Sequence, residues 1–154
     1  MLGLRRGLVK LYEYSSEWPK LFELEKDSIL EVIGLEIQKI EHVGSTSISG
    51  LKAKPIIDIA IEVEDRNNLH KIIAPLVELG YEYFGERNIK GDFCFMKGPE
   101  EKRTHKVHVS LGNSERLKTL LKFRNSLREN RKLRNEYQSL KMELALKYPS
   151  NGKL

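Results

Sequence analysis

The chain has 154 residues, of which 40% are hydrophobic and 32% charged, and it carries a net charge of +5. That length predicts one domain over residues 1–154 with a single sizeable core, in a soluble globular protein. No apolar run reaches the roughly 18 residues that a membrane-spanning helix needs, so a membrane protein is excluded.

The opening residues, MLGLRRGLVKLYEY, hold two arginines but no long apolar segment or small-residue cleavage site, and we read no signal peptide there. One cysteine permits no internal disulfide, which fits a reducing compartment, and a cytoplasmic location is expected. The positive charge is unevenly spread. Residues 115–154 hold eleven Lys/Arg against four Asp/Glu, and the remainder of the chain is slightly acidic. Such a surplus is either a surface for phosphates or nucleic acid, or a solvated helical face.

In chain order, LVKLYEY (8–14) reads as a short edge strand or extended arm. Ser15 and Ser16 are helix N-caps, and Trp18, Leu21, Phe22, Ile29, Val32 and Ile33 recur at helical spacing up to Gly34. Pro19 is tolerated in the first turn. IQKIEHV (37–43) is a strand, and a second strand spans 56–63. A helix follows Asp65 with Leu69, Ile72, Ile73, Leu76 and Val77 on one face; Pro75 is expected to bend or break it, and Gly80 to close it. Further strands are predicted at 81–86, 91–97 and 104–111. In DFCFMKG both faces are apolar, so that strand is expected to be central, with Cys94 as core filling rather than a nucleophile. GPEEKRT supplies a polar hairpin turn. From Ser114 to about Lys147 the pattern is helical, with a break near Glu129–Asn130; Leu117, Leu120, Leu121 and Leu127 line the first helix, and Leu133, Tyr137, Leu140 and Leu144 the second. The expectation is an α/β (α+β) fold, a mixed sheet flanked by helices with two helices at the C-terminus.

The chemistry concentrates in HVGSTSISGLKAKPIIDIAIEV (42–63). Gly44 allows a close backbone turn, and Ser45, Thr46 and Ser47 offer hydroxyls beside exposed amides. If TSISGL begins a short helix, its free N–H groups face the Gly44–Ser45 corner and make an anion site. Lys54 adds a mobile positive charge. Asp58 is a carboxylate in an otherwise apolar strand. Set opposite a phosphate cradle it suits a Mg2+–nucleotide complex, and alternatively it only pairs with Lys54 or an arginine.

EHVGSTSISGLKAKPIIDI resembles the signature of the GrpB-like family, within the nucleotidyltransferase-fold superfamily. LGYEYFGE, RTHKVHVS, FRNSLR and EYQSLKMELA resemble later blocks of that family in the same order, covering the chain from about Leu8 to Tyr148. The resemblance implies a nucleotidyltransferase-like sheet, in a family sometimes found fused to dephospho-CoA kinase. It also implies a triphosphate held at the Gly44–Ser45 corner, and metal-binding carboxylates of which Asp58 matches the first. The second such position is Ala60, which has no donor. Glu62 faces the same side as Asp58, but four residues along a strand is about 13 Å, against a metal–metal spacing of about 4 Å.

Histidines are candidates for the gap. His105 and His108 lie where the superfamily's third carboxylate is sought, and His42 precedes the corner. Alternation puts 105 and 108 on opposite faces unless the strand bulges. His108, alternating with Lys106, faces the less apolar side and is the preferred site residue, as a proton shuttle or a metal ligand. Arg124 and Arg128, one helical turn apart in FRNSLR, could clamp a phosphate. Asn125 stands where the family block more often carries an acid, and the end at YPSNGKL lacks a segment that relatives usually add. Arg103, heading RTHKVHVS, is a further candidate.

The reading is a nucleotidyltransferase-like protein that binds a nucleotide phosphate at Gly44–Ser45, with Mg2+ or Mn2+ at Asp58 and Asp58 and His108 as catalytic residues, possible transfer being to a small acceptor. A catalytically weakened module for a nucleotide or CoA-like ligand is the alternative. Nucleic-acid binding through the basic helices is a third reading, disfavoured because aromatics are sparse there (Phe123, Tyr137, Tyr148).

Overall fold

The computed structural model describes residues 2–4 and 10–148. Residues 8 and 9 of the expected arm, and the final PSNGKL, lie outside that range. The rest of the arm is extended, and Tyr12 exchanges both backbone hydrogen bonds with Ala53.

Helix α1 (Glu17–Ile33) starts where the Ser15 hydroxyl accepts the Glu17 amide at 3.1 Å; Ser16 makes no side-chain cap. Its buried stripe is Trp18, Phe22, Glu25, Ile29 and Ile33. Leu21 is half-buried, whereas Val32 at the edge of the stripe is exposed. Glu25 sits among apolar residues because Tyr81 donates its hydroxyl hydrogen at 2.6 Å and Lys97 donates at 3.0 Å, so the buried charge is paired.

Strand β1 (Lys39–Val43) is followed by a 3-10 turn at Ser45–Ser47, then β2 (Ile57–Val63), α2 (Arg66–Glu78), β3 (Tyr81–Glu86), β4 (Phe93–Lys97) and β5 (His105–Leu111). Helices α3 (Arg116–Glu129) and α4 (Arg131–Lys147) close the chain, broken at Asn130, whose side chain accepts the Leu133 amide. The strand order is β1-β2-β5-β4-β3; β2 and β5 are parallel and every other pair is antiparallel. The result is the expected mixed α/β fold, a five-stranded sheet flanked by four helices.

Alternation divides the sheet. Ile57, Ile59, Ile61, Val107, Val109, Phe93 and Phe95 face α1 and α2 and form the main core. Asp58, Ala60, Lys106 and His108 lie on the other face, where Ala60 packs with Val43 and Leu117 of α3. Strand β4 is interior as expected, and Cys94 is a buried thiol whose pKa burial pushes up.

Three local expectations are corrected. Pro75 lies inside α2 without ending it; it removes one hydrogen bond, to the carbonyl of exposed Lys71, one turn before the helix stops, where water can substitute. TSISGL is a 3-10 turn that becomes extended at Ile48, not the start of an α-helix. Helix α4 has no buried residue; Leu133 and Leu140 are exposed, and Tyr137 and Leu144 only half-buried. It is held by Tyr137, which packs on Ile48, Leu51 and Leu127 and stands edge-on to Phe123, and by the Gln138 side chain accepting the Lys52 amide at 2.7 Å.

Candidate functional site

The corner between β1 and β2 is built around Gly44, whose backbone (φ +73°, ψ −177°) lies in a region essentially reserved for glycine. A Cβ there would meet Asp58 Oδ2 at 2.6 Å, so the turn presses against the carboxylate that faces it across the β1–β2 ladder. The turn uses the Ser47 and Ile48 amides on the carbonyls of Gly44 and Ser45. The amides that can face a ligand are those of Ser45 and Thr46.

The hydroxyls around the corner have different roles. Ser47 donates to the Gly44 carbonyl, and buried Thr46 donates to the Ile56 carbonyl at 3.3 Å. Thr46 has then spent its hydrogen, so at 2.9 Å it accepts one from His42 Nε2. Both side chains frame the turn. Ser45 differs: its Oγ accepts from Lys141 of α4 at 3.2 Å, a residue 96 positions away.

His42 stacks on Phe22 and is 6% exposed. Burial, with Arg128 and Arg124 nearby, outweighs the opposing Asp58 and pulls it from 6.5 to about 4. Unfolded, this imidazole takes a proton below about 6.5; folded, it does not until about 4. Stability is therefore lost as pH falls through that window, by on the order of 3 kcal/mol. His105, also lowered by burial, adds to the same slope. Urea unfolding at pH 7 and 4.5 should show this loss in the native protein and most of it abolished in His42→Gln.

Asp58 and His108 are brought together. His108 Nε2 lies 3.2 Å from Asp58 Oδ1, and its Nδ1 lies 3.1 Å from Asp92 Oδ2. Both ring nitrogens face carboxylates, so both carry hydrogens. Burial opposes that charge, but the hydrogen bonds and charges of Asp58 and Asp92 hold the His108 pKa above its ordinary value. Arg116 then closes the row, its Nε donating to Asp92 Oδ2 at 2.9 Å. Against the cost of burial, His108, Lys106 and Lys141 hold Asp58 below the usual carboxylate range. Lys54 belongs to the same group: burial, Lys141 and Lys106 lower its pKa, while Asp58 raises it.

The other candidates are placed elsewhere or occupied. Strand β5 keeps an unbroken register with β2, so there is no bulge. His105 accordingly points to the α1 side, beside Thr104 Oγ1 at 2.7 Å. Arg103 donates to the Gly98 carbonyl at 2.6 Å and lies near Glu82. Arg124 donates to Glu41 at 2.8 Å, to the His42 carbonyl at 3.0 Å and to Asn125 Oδ1 at 3.0 Å; Arg128 donates to the Ser47 carbonyl at 2.9 Å. These two side chains latch α3 onto β1 and the turn. Asn125 and Glu41 thus supply side-chain oxygens to Arg124.

Sequence reasoning missed Asp92, Arg116, Lys106 and Lys141. Asp92 carried a usable signal, being a carboxylate at the margin of an apolar strand as Asp58 is. Lys141 carried none, because it reaches the corner only through the packing of α4.

The donor set does not fit a two-metal centre. His108 holds the two carboxylates on opposite sides of its ring, so they do not converge on one point. The second carboxylate position, Ala60, is packed against Leu117. Among the described residues no group of three or more His, Cys, Asp or Glu is arranged to hold a metal ion, and no helix is long and apolar enough to cross a membrane.

Fold and corner together define a mixed α/β protein whose sheet carries a turn enclosed by cationic side chains. The model of the GrpB protein family matches residues 8–153. The chain belongs to the GrpB family. It is 36% identical to the glutamate-rich protein GrpB of Alkalihalophilus pseudofirmus, over 98% of this chain and 89% of that one. It is 37% identical to the UPF0157 protein YqkA of Bacillus subtilis, over 93% of this chain but 41% of YqkA. The crystal structure of conserved protein GrpB from Enterococcus faecalis superposes with a TM-score of 0.85 at 37% identity, covering 92% of this chain and 86% of that one. A weaker likeness, TM-score 0.47 at 15% identity, is to a structure of Cid1 with the UTP analog UMPNPP, covering 75% of this chain and 39% of that one. At that level it carries no argument about activity.

Proposed function

We propose that the protein binds a phosphate-bearing small molecule, a nucleotide or CoA-like compound, at the Gly44–Ser45 corner. The observation that carries this reading is the glycine-only turn at Gly44, whose Ser45 hydroxyl accepts from Lys141 Nζ at 3.2 Å and whose flanking carbonyls at His42 and Ser47 accept from Arg124 and Arg128. The local excess of positive charge suits an anion. The Ser45 hydroxyl, held by Lys141, and the Ser45 and Thr46 amides supply directional hydrogen bonds. Nucleotidyl transfer by paired metals is not supported by the donor set, so the reading is a binding module of nucleotidyltransferase-like ancestry. Were a group transferred here, Asp58 is the side chain at the corner that would take the acceptor's proton, with His108 as its charged hydrogen-bond partner.

Titration calorimetry with nucleoside triphosphates and CoA precursors tests the reading. Ser45→Ala should weaken binding about fivefold, the loss of one hydrogen bond worth about 1 kcal/mol. Failure of every phosphate compound to bind below millimolar concentration would reject it.

A further inference from the structure

Resting on that reading, we propose that the corner's ligand is a phosphate monoester with an extended uncharged chain, which lies in a groove beside the C-terminal half of α4. The groove has a volume of about 320 Å³ and is lined by Lys10, Leu11, Lys52, Met142, Ala145 and Leu146. That volume falls within the range of small-molecule sites. Three observations carry the inference. The first is continuity with the corner. Lys141 donates to Ser45 Oγ at 3.2 Å, and Ala145, four residues on, lies on the same side of α4. One turn of helix, about 5.4 Å along the axis, separates the lysine that holds Ser45 from the groove wall. The second is that the walls are fixed by the protein itself. Tyr12 exchanges backbone hydrogen bonds with Ala53 at 2.9 and 3.1 Å, which pins the arm carrying Leu11 to the segment carrying Lys52. The Gln138 side chain accepts the Lys52 amide at 2.7 Å and ties that segment to α4.

The third is the chemistry of the lining. Leu146 is 86% exposed and Met142 37%, so the groove presents apolar surface to water. The two rim ammonium groups are already engaged: Lys52 pairs with Glu13 at 3.1 Å, and Lys10 stands over the Tyr12 ring at 5.3 Å. Among the described residues no aromatic ring or side-chain amide lines the groove, so it offers nothing that stacks on or hydrogen-bonds a base. An alkyl or pantetheine-like chain would instead exclude water from Leu11, Met142, Ala145 and Leu146 while its phosphate stayed at Ser45. Covering such side chains is favourable in proportion to the apolar area removed from water.

The test is calorimetric titration of the full chain with methyl, butyl and octyl phosphate, with phosphopantetheine and with AMP. Octyl phosphate should bind about tenfold or more tightly than methyl phosphate. A fully buried methylene contributes about fourfold, and this groove is open on one side. Leu146→Gln, at an exposed position, should cut the octyl-to-methyl ratio about threefold or more, and Ala145→Phe should do the same by filling the groove. Phosphopantetheine should also bind more tightly than methyl phosphate, and whichever long chain binds better identifies the natural one as alkyl or amide-bearing. A ratio near one in the unaltered protein, with methyl phosphate still bound, would overturn the inference and leave phosphate binding at the corner intact. AMP binding more tightly than both long-chain esters would overturn the ligand class. An octyl preference untouched by either variant would overturn the groove as its seat. Absence of binding by all five compounds would overturn this inference and the proposed function together.

Discussion

Gly44→Ala is expected to cost about 3 kcal/mol of folding stability and to abolish phosphate binding at the corner. Two penalties add. The backbone at φ +73°, ψ −177° costs a side-chain-bearing residue about 1–3 kcal/mol. The new methyl would also lie 2.6 Å from Asp58 Oδ2 and 2.9 Å from Asp58 Cβ, so the strand or the turn must shift. No relaxation is cheap, because Val43 is paired with Asp58 in the ladder and Ser47 returns to the Gly44 carbonyl. Urea unfolding measures the total. Repeating the substitution in an Asp58→Gly background removes the collision and leaves the backbone term, so a double-mutant cycle should show coupling of about 1 kcal/mol or more. A loss below about 1 kcal/mol for the single change would mean that the corner is far softer than its geometry implies.

Asp92→Ala carries the second large effect. Asp92 is 4% exposed and is the shared counter-charge of His108 and Arg116. Removing one member of a buried charged network leaves the others desolvated and unmatched, typically at 3–5 kcal/mol. We expect about 3 kcal/mol, since Arg116 and His108 keep some contact with water at 15% and 12% exposure of their side chains. The pH dependence gives a second readout. The folded His108 pKa is raised, so its contribution is fully present below the unfolded value near 6.5 and fades as pH rises through the folded one. Unfolding curves from pH 6 to 9 should show that decline in the native protein and less of it in Asp92→Ala. An NMR titration of His108 in the variant should report a lower pKa, and an unchanged one would show that Asp92 does not act on this ring.

The location of the corner was legible because its chemistry is local. Gly44, Ser45 and Asp58 lie within a single 15-residue stretch, positions 44 to 58, and a carboxylate in an apolar run identifies itself. The helical break at Asn130 was equally plain, since an amide side chain there caps the next helix. The roles of neighbouring side chains were less legible. Thr46, Ser47, Arg124 and Arg128 looked like ligand groups, yet the structure commits them to carbonyls and a carboxylate of the turn, of β1 and of Ile56 just before β2. A hydroxyl or guanidinium in a motif looks the same whether its hydrogen bond goes to a ligand or to the backbone. Apolar spacing likewise placed Leu133 and Leu140 on an inner face of α4, but periodicity shows only that a stripe exists and not that another element covers it.

Taken alone, the sequence determined the order and approximate limits of the helices and strands, the family, and the Gly44–Asp58 corner. Each depends on residues near one another in the chain, through periods of 2 and 3.6 and the backbone preferences of Gly, Pro, Ser and Asn. Only the tertiary structure decided what surrounds that corner. The parallel pairing of β2 with β5 sets His108 beside Ala60, the margin of β4 brings Asp92 beneath it, and α3 and α4 deliver Arg116 and Lys141. Strand order and helix docking follow from burying apolar faces summed over the whole chain, and the partner of a charged side chain is settled only when those faces have met.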